Sequence, residues 1–236
     1  MRYIRPVSST PAPDDWSTRH SVLTTAQRTA DLINALADDD STAADVTAVL
    51  LAYGETDIDL SPREVTEMRA SAALLREVFA AEDTDTAAAI LNRLLHTHTG
   101  RLRLSSHDGT TPWHPHLDRA DDAPWAEWLL ASSCLALTVL LWDRQRPPGG
   151  TCASPSCDNV YVTRGSGPPR RYCSRRCATR ERVAAHRRAR AEREAPWSAT
   201  PPSPAPGSAG APAGGGGRCP GGPAAAVGGR AHVGRP

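Results

Sequence analysis

Between about residues 20 and 142 the apolar positions recur mostly at helical intervals. Within 17–40, Leu32, Ile33 and Leu36 fall on one face of a predicted helix. The run 43–54 reads as a short helix stopped by Gly54 at the C′ position, where a left-handed backbone suits glycine. Residues 61–81 carry the fullest helical signal. Ser61 is the predicted N-cap, Pro62 suits the first helical position and Glu64 completes a capping box. Val65, Met68, Ala72, Leu75 and Phe79 then follow at helical spacing, and Ile90, Leu91, Leu94 and Leu95 continue the pattern through 83–99.

The period then changes. Leu102 and Leu104 alternate with polar neighbours, Asp108-Gly109 interrupts, and Trp113 and Leu117 resume the alternation, which predicts a β-hairpin. Residues 123–142 are apolar nearly all round and predict a buried helix, with Cys134 as a small core residue. The apolar stretch 128–142 is about fifteen residues long and holds two serines, short of the ~20 residues a membrane span needs. No membrane association is predicted. Residues 1–15 lack the apolar core of a secretory signal, so a cytoplasmic, reducing location is expected.

After residue 143 the pattern breaks down. "RQRPPGG" (144–150) reads as a linker, "ERVAAHRRARAERE" (181–194) as a basic helix, and 195–236 as Pro/Gly/Ala low complexity, expected to be disordered, with Cys219 alone inside it. The expected organisation is a flexible N-terminus (1–15), a mainly α domain with a small β-hairpin (16–143, an α+β class), a small cysteine module with a basic helix (144–194) and a disordered tail (195–236).

Charge sharpens this division. The whole chain is near neutral, with 27 basic and 26 acidic residues. Residues 1–143 hold 11 arginines against 22 acids, a net of −11, whereas 144–193 hold 13 arginines against 3 acids, a net of +10. Every basic residue is arginine, which fits a GC-rich coding bias, but a uniform bias does not segregate charge. Two modules with different partners are expected.

The basic half contains "TCASPSCDNVYVTRGSGPPRRYCSRRCATR" (151–180). Its spacing is Cys152-x4-Cys157-x15-Cys173-x3-Cys177. Three chemistries use clustered cysteines: a structural metal site, a disulfide and a redox pair. A reducing location weighs against the disulfide, and neither pair has the Cys-x-x-Cys redox spacing. Two short knuckles joined by a ribbon suit a tetrahedral four-thiolate zinc site, closed to catalysis because no coordination position is left open. His186, nine residues beyond Cys177, is the weaker substitute ligand. Between the cysteines the large apolar residues are Val160, Tyr161, Val162 and Tyr172, so metal is expected to supply folding free energy that a core would otherwise give.

Arginines cluster around the second pair: Arg170, Arg171, Arg175, Arg176, Arg180 and Arg182, followed by Arg187, Arg188 and Arg190. On a helix starting near Arg175, Arg176, Arg180, Arg187 and Arg190 form one stripe, and Arg175, Arg182, His186 and Arg193 a second about a quarter turn away. Such a surface suits phosphates, and a zinc-fixed helix start suits base edges in a major groove. RNA and an acidic protein surface present the same charge.

The segment resembles the CGNR zinc finger. Cys152, Cys157, Tyr161, Arg170, Arg171, Tyr172, Cys173, Ser174, Cys177 and Arg180 match its motif. Upstream, "TADLINAL", the hairpin and the apolar helix look like the ABATE domain that accompanies this finger in a group described as stress-induced transcriptional regulators. The resemblance implies a zinc-dependent, DNA-binding regulator whose N-terminal domain senses a small molecule or dimerises. The motif's Gly-Asn is Ala178-Thr179 here, and its Asp after the aromatic is Thr163. Thr179 lacks an asparagine's amide, so any base contact made there changes.

His114 and His116 would share a strand face, as a metal pair or ligand contact would; scattered exposed histidines near a hairpin are the plainer reading. No Ser/His/Asp arrangement, phosphate-binding glycine loop or carboxylate pair at catalytic spacing is present, so no enzymatic activity is expected. The expected function is DNA-binding transcriptional regulation, nucleoid-associated, with a zinc-stabilised protein-interaction or RNA-binding module as the alternative. A homodimer and a small-molecule effector are further expected partners.

Overall fold

The computed structural model describes residues 21–165, 167 and 170–194. The flexible segment expected at 1–15, the tail expected at 195–236 with Cys219, and Pro168 and Pro169 lie outside the described residues.

Among the described residues, five helices build the first part: α1 (Val22–Ala35), α2 (Ala43–Ala52), α3 (Pro62–Ala80), α4 (Thr84–His98) and α5 (Trp125–Arg144). Their starts follow local chemistry. Ser61 Oγ accepts from Glu64 N while the Glu64 carboxylate accepts from Ser61 N, with Pro62 at the head of α3, as the sequence predicts. Thr42 and Asp45 form the same box on α2, and Asp83 caps α4. Gly54, at φ 86, follows α2 in the left-handed region.

The predicted apolar faces converge. Leu32, Ile33, Leu36, Val65, Met68, Ala72, Leu75 and Phe79 are all buried, with Leu91 and Leu94 from α4. Helix α5 packs against α1, α3 and α4 and forms the middle of this core. At 20 residues and a mean hydropathy of 1.5 it is long and apolar enough to cross a membrane, five residues longer than its apolar stretch. Leu129, Leu130, Ala131, Cys134, Leu137 and Leu140 are nevertheless buried against the other helices. Cys134 is a core residue, and burial pushes its thiol up to about 12.

The predicted hairpin forms from β1 (Arg103–Ser105) and β2 (His114–His116), antiparallel with Leu104 opposite Pro115. Its faces are the reverse of those the alternation implies. Leu102, Leu104 and Trp113 are 64–70% exposed, and only Leu117 is buried. A polar network takes the other face: Arg103 bonds Asp118 and Asp121, Ser105 bonds Asp121, and His116 bonds Asp118. Asp118 is 4% exposed and fully partnered, which makes its burial tolerable.

A second antiparallel hairpin, β3 (Gly149–Thr151) with β4 (Val160–Val162), follows α5, and helix α6 (Arg175–Glu194) ends the described chain. Val160 and Val162 join the helical core rather than a core of their own. Asn34 on α1 pairs with both backbone groups of Val160, and Arg144 donates to Thr163 O. Gly149 sits where a Cβ would overlap the Phe79 ring and the Tyr161 carbonyl. The apolar strand that the sequence assigns to the small module thus anchors it to the helices.

Candidate metal centre

The four cysteines come from two loops. Cys152 follows β3 and Cys157 lies in the turn before β4; Cys157 N donates to Ser154 O at 3.0 Å and closes the first knuckle. Cys173 precedes α6 and Cys177 lies in its first turn. Ser174 Oγ accepts from Cys177 N at 3.2 Å, the geometry of an N-cap, so one serine both starts the helix and sets the second knuckle.

The sulfurs converge. Cys157 Sγ is 3.6 Å from Cys173 Sγ, which is 3.7 Å from Cys177 Sγ, and all four lie within 4.8 Å of one another. A tetrahedron of thiolates around zinc, with Zn–S near 2.3 Å, needs S–S separations of about 3.8 Å. The donor set therefore fits zinc, which Cys152, Cys157, Cys173 and Cys177 would hold with no position left over. Electrostatics agree. The Ser174 hydroxyl leads the effects that bring the Cys177 thiol down to about 7, while burial and the neighbouring sulfurs push Cys173 up to about 12. Four such groups so close deprotonate together only around a cation. Backbone and side-chain donors also reach the sulfurs: Cys173 N to Cys152 Sγ and Arg180 Nη2 to Cys177 Sγ, each at 3.5 Å. His186 lies exposed along α6 and is not part of the cluster.

The residues around the cysteines lock the two knuckles together. Tyr161 donates its hydroxyl to Arg170 O, and the Arg170 guanidinium stacks 5.1 Å from the Tyr161 ring centre. Arg170 then donates Nε to Tyr172 O at 2.6 Å and Nη2 to Cys173 O. Ala153 N donates to Arg171 O at 2.8 Å, and the Arg171 side chain lies over Tyr172. Buried Ser154 accepts from Arg180 Nη2 at 2.8 Å and donates to Glu181 at 2.5 Å.

All nine arginines singled out from the sequence are exposed. Arg170 and Arg180 direct donors into the finger itself, and Arg190 pairs with Glu194. The side chains of Arg175, Arg176, Arg182, Arg187 and Arg188 make no hydrogen bond or ion pair among the described residues. Helix α6 packs against none of the other elements, and Cys177 is its buried residue. The acidic helices do not cover it.

These features define a small zinc-binding module: two knuckles, a β-hairpin and a basic helix capped at the metal. Residues 150–190 match the CGNR zinc finger family. The match does not extend over the helical part, where no ABATE domain is detected. No curated protein is significantly similar to the chain.

Proposed function

We propose that this chain is a DNA-binding transcriptional regulator that uses its zinc finger to present α6 to nucleic acid, with the helical, ABATE-like part sensing a small molecule or mediating dimerisation. One observation carries the reading: α6 stands clear of the core and exposes Arg175, Arg176, Arg182, Arg187 and Arg188 without acidic partners. Unpaired guanidinium groups on a pre-formed helix lose little conformational freedom on meeting phosphates and release counterions there. Arg175 and Arg176 sit at the capped end, the part of a recognition helix that best reaches base edges. Arg170 and Arg180, read from sequence as nucleic-acid contacts, add positive potential while their donors hold the finger together.

A protein-interaction role is favoured by a different observation, the docking of β4 on α1 through Asn34 and Val160. In that reading the finger serves chiefly to brace the helices. In vitro site selection with zinc-loaded full-length protein separates the two. Enrichment of a defined sequence supports regulation, and recovery of no DNA at all favours the bracing role.

A further inference from the structure

The hairpin β1–β2 holds a second group of potential ligands, His107, His114 and His116. Register places His114 opposite Ser105 and His116 opposite Arg103, on the polar face. His107 enters from the loop, where His107, Asp108 and Gly109 have φ of 47, 56 and 82. A non-glycine pair in the left-handed region costs backbone strain, which persists where surrounding contacts fix it. Here Ser105 Oγ accepts from His107 N at 3.1 Å.

The rings are oriented from behind. His114 Nδ1 is 2.9 Å from Pro112 O, and His116 Nδ1 is 3.1 Å from both oxygens of Asp118. A carbonyl and a carboxylate only accept, so both Nδ1 atoms carry the proton and both Nε2 atoms present lone pairs. His107 Nδ1 faces Asp121 Oδ2 at 3.4 Å. Arg103 bridges Asp118 and Asp121, fixing the two carboxylates relative to each other. Oxygen acceptors behind imidazoles are the usual outer shell of a metal-bound histidine.

In front, the Nε2 atoms meet. His116 Nε2 is 2.8 Å and His107 Nε2 is 3.3 Å from His114 Nε2. Nitrogen ligands about 2.0–2.1 Å from one ion lie about 2.8–3.4 Å apart, from octahedral to tetrahedral edges. Two lone pairs at 2.8 Å repel unless a cation lies between them: a metal ion or an added proton.

We propose that His107, His114 and His116 form a second divalent metal site, suited to Zn2+, with three imidazole ligands and at least one open coordination position for water or an anionic ligand. Imidazole nitrogens select zinc-like ions over calcium or magnesium. Unlike the four-cysteine site, this one can exchange its outer ligand. That gives the helical part a place to bind a small carboxylate or phosphate. The proposal is independent of DNA binding.

The test uses tag-free, full-length protein equilibrated with Zn2+ and then transferred to metal-free buffer, with zinc per chain measured by mass spectrometry and Co2+ binding followed by absorbance. The expected result is two ions per chain. His116→Ala and His107→Ala should each bind one ion and keep the thiolate–cobalt charge-transfer band of the cysteine site. His107 lies in the loop, so its substitution leaves the strand pairing in place. Asp121→Asn should weaken the second ion by roughly 10–100-fold. One ion per wild-type chain, meaning a shared proton only, overturns the proposal, as do two ions retained in both histidine variants.

Discussion

Asn34 and Val160, 126 positions apart, pair like neighbouring strands: Asn34 Nδ2 donates to Val160 O at 3.0 Å, and Val160 N donates to Asn34 Oδ1 at 2.7 Å. One side chain thus satisfies both backbone groups of a residue that is 1% exposed. The zinc finger and the helical part are joined at this point.

Asn34→Leu leaves the Val160 amide and carbonyl buried without partners. A stability loss of about 1–3 kcal/mol is expected, since an unsatisfied buried polar group costs that much. Chemical denaturation of the zinc-loaded protein measures it. A change within about 0.5 kcal/mol, the usual range of neutral surface substitutions, would remove the joint from the account.

Gly149→Ala tests the same joint from the other strand. The added methyl overlaps the Phe79 ring and the Tyr161 carbonyl, one of them backbone that cannot swing aside. Overpacking of this kind costs about 1–3 kcal/mol. The thermal midpoint should fall, and Gly150→Ala, whose added methyl meets the Tyr161 side chain rather than backbone, should lower it less.

The local features were legible in the sequence because their partners are near in the chain. Ser61 and Glu64 lie three apart, and the cysteine spacing holds the knuckle geometry directly. The hairpin was legible as a hairpin but not in its orientation. Alternation at Leu102 and Leu104 implies an inward apolar face, and nothing local tells that Arg103, Asp118 and Asp121 occupy the inner side with saturated polar contacts. The Asn34–Val160 joint had no local signal, since it pairs a helix residue with a strand far along the chain. The inward use of Arg170 and Arg180 depends on Tyr161 and Ser154 being folded over them, so composition showed only their charge.

Zinc removal should unfold α6 selectively. An isolated helix of this length is marginal in water, and α6 packs against no other helix or strand, its contacts being confined to its capped start at the cysteines and the bonds of Arg180 and Glu181 to Ser154. Chelation or Cys177→Ser should therefore lower far-ultraviolet helicity by up to the share of its 20 residues, with the core helices remaining. Zinc affinity should also weaken as pH falls, because protons compete for the four thiolates that hold the ion. Unchanged helicity in the zinc-free protein would contradict this role for the metal.

The helix caps make a separate contribution to acid stability. Hydrogen bonds from Thr42, Ser61 and Thr86 hold the carboxyls of Asp45, Glu64 and Asp83 below their ordinary values. Groups depressed in the folded state stabilise it above the ordinary carboxylate range and lose that contribution as pH falls through their lowered values. Glu64→Gln should flatten the fall of stability with acid, measured as the denaturation midpoint against pH. An identical acid profile in the variant would show that the box contributes nothing by ionisation.

The central claim is that zinc at Cys152, Cys157, Cys173 and Cys177 sets up α6 as an arginine surface for DNA. Its most direct test is the salt dependence of duplex DNA affinity for zinc-loaded full-length protein, compared with a variant carrying glutamine at Arg175, Arg176, Arg182, Arg187 and Arg188. The account predicts a steep linear fall of log affinity with log salt, and a slope shallower by about 0.9 for each arginine removed that meets a phosphate. Equal slopes for the two proteins, or no salt-sensitive association by the zinc-loaded wild type, would contradict it.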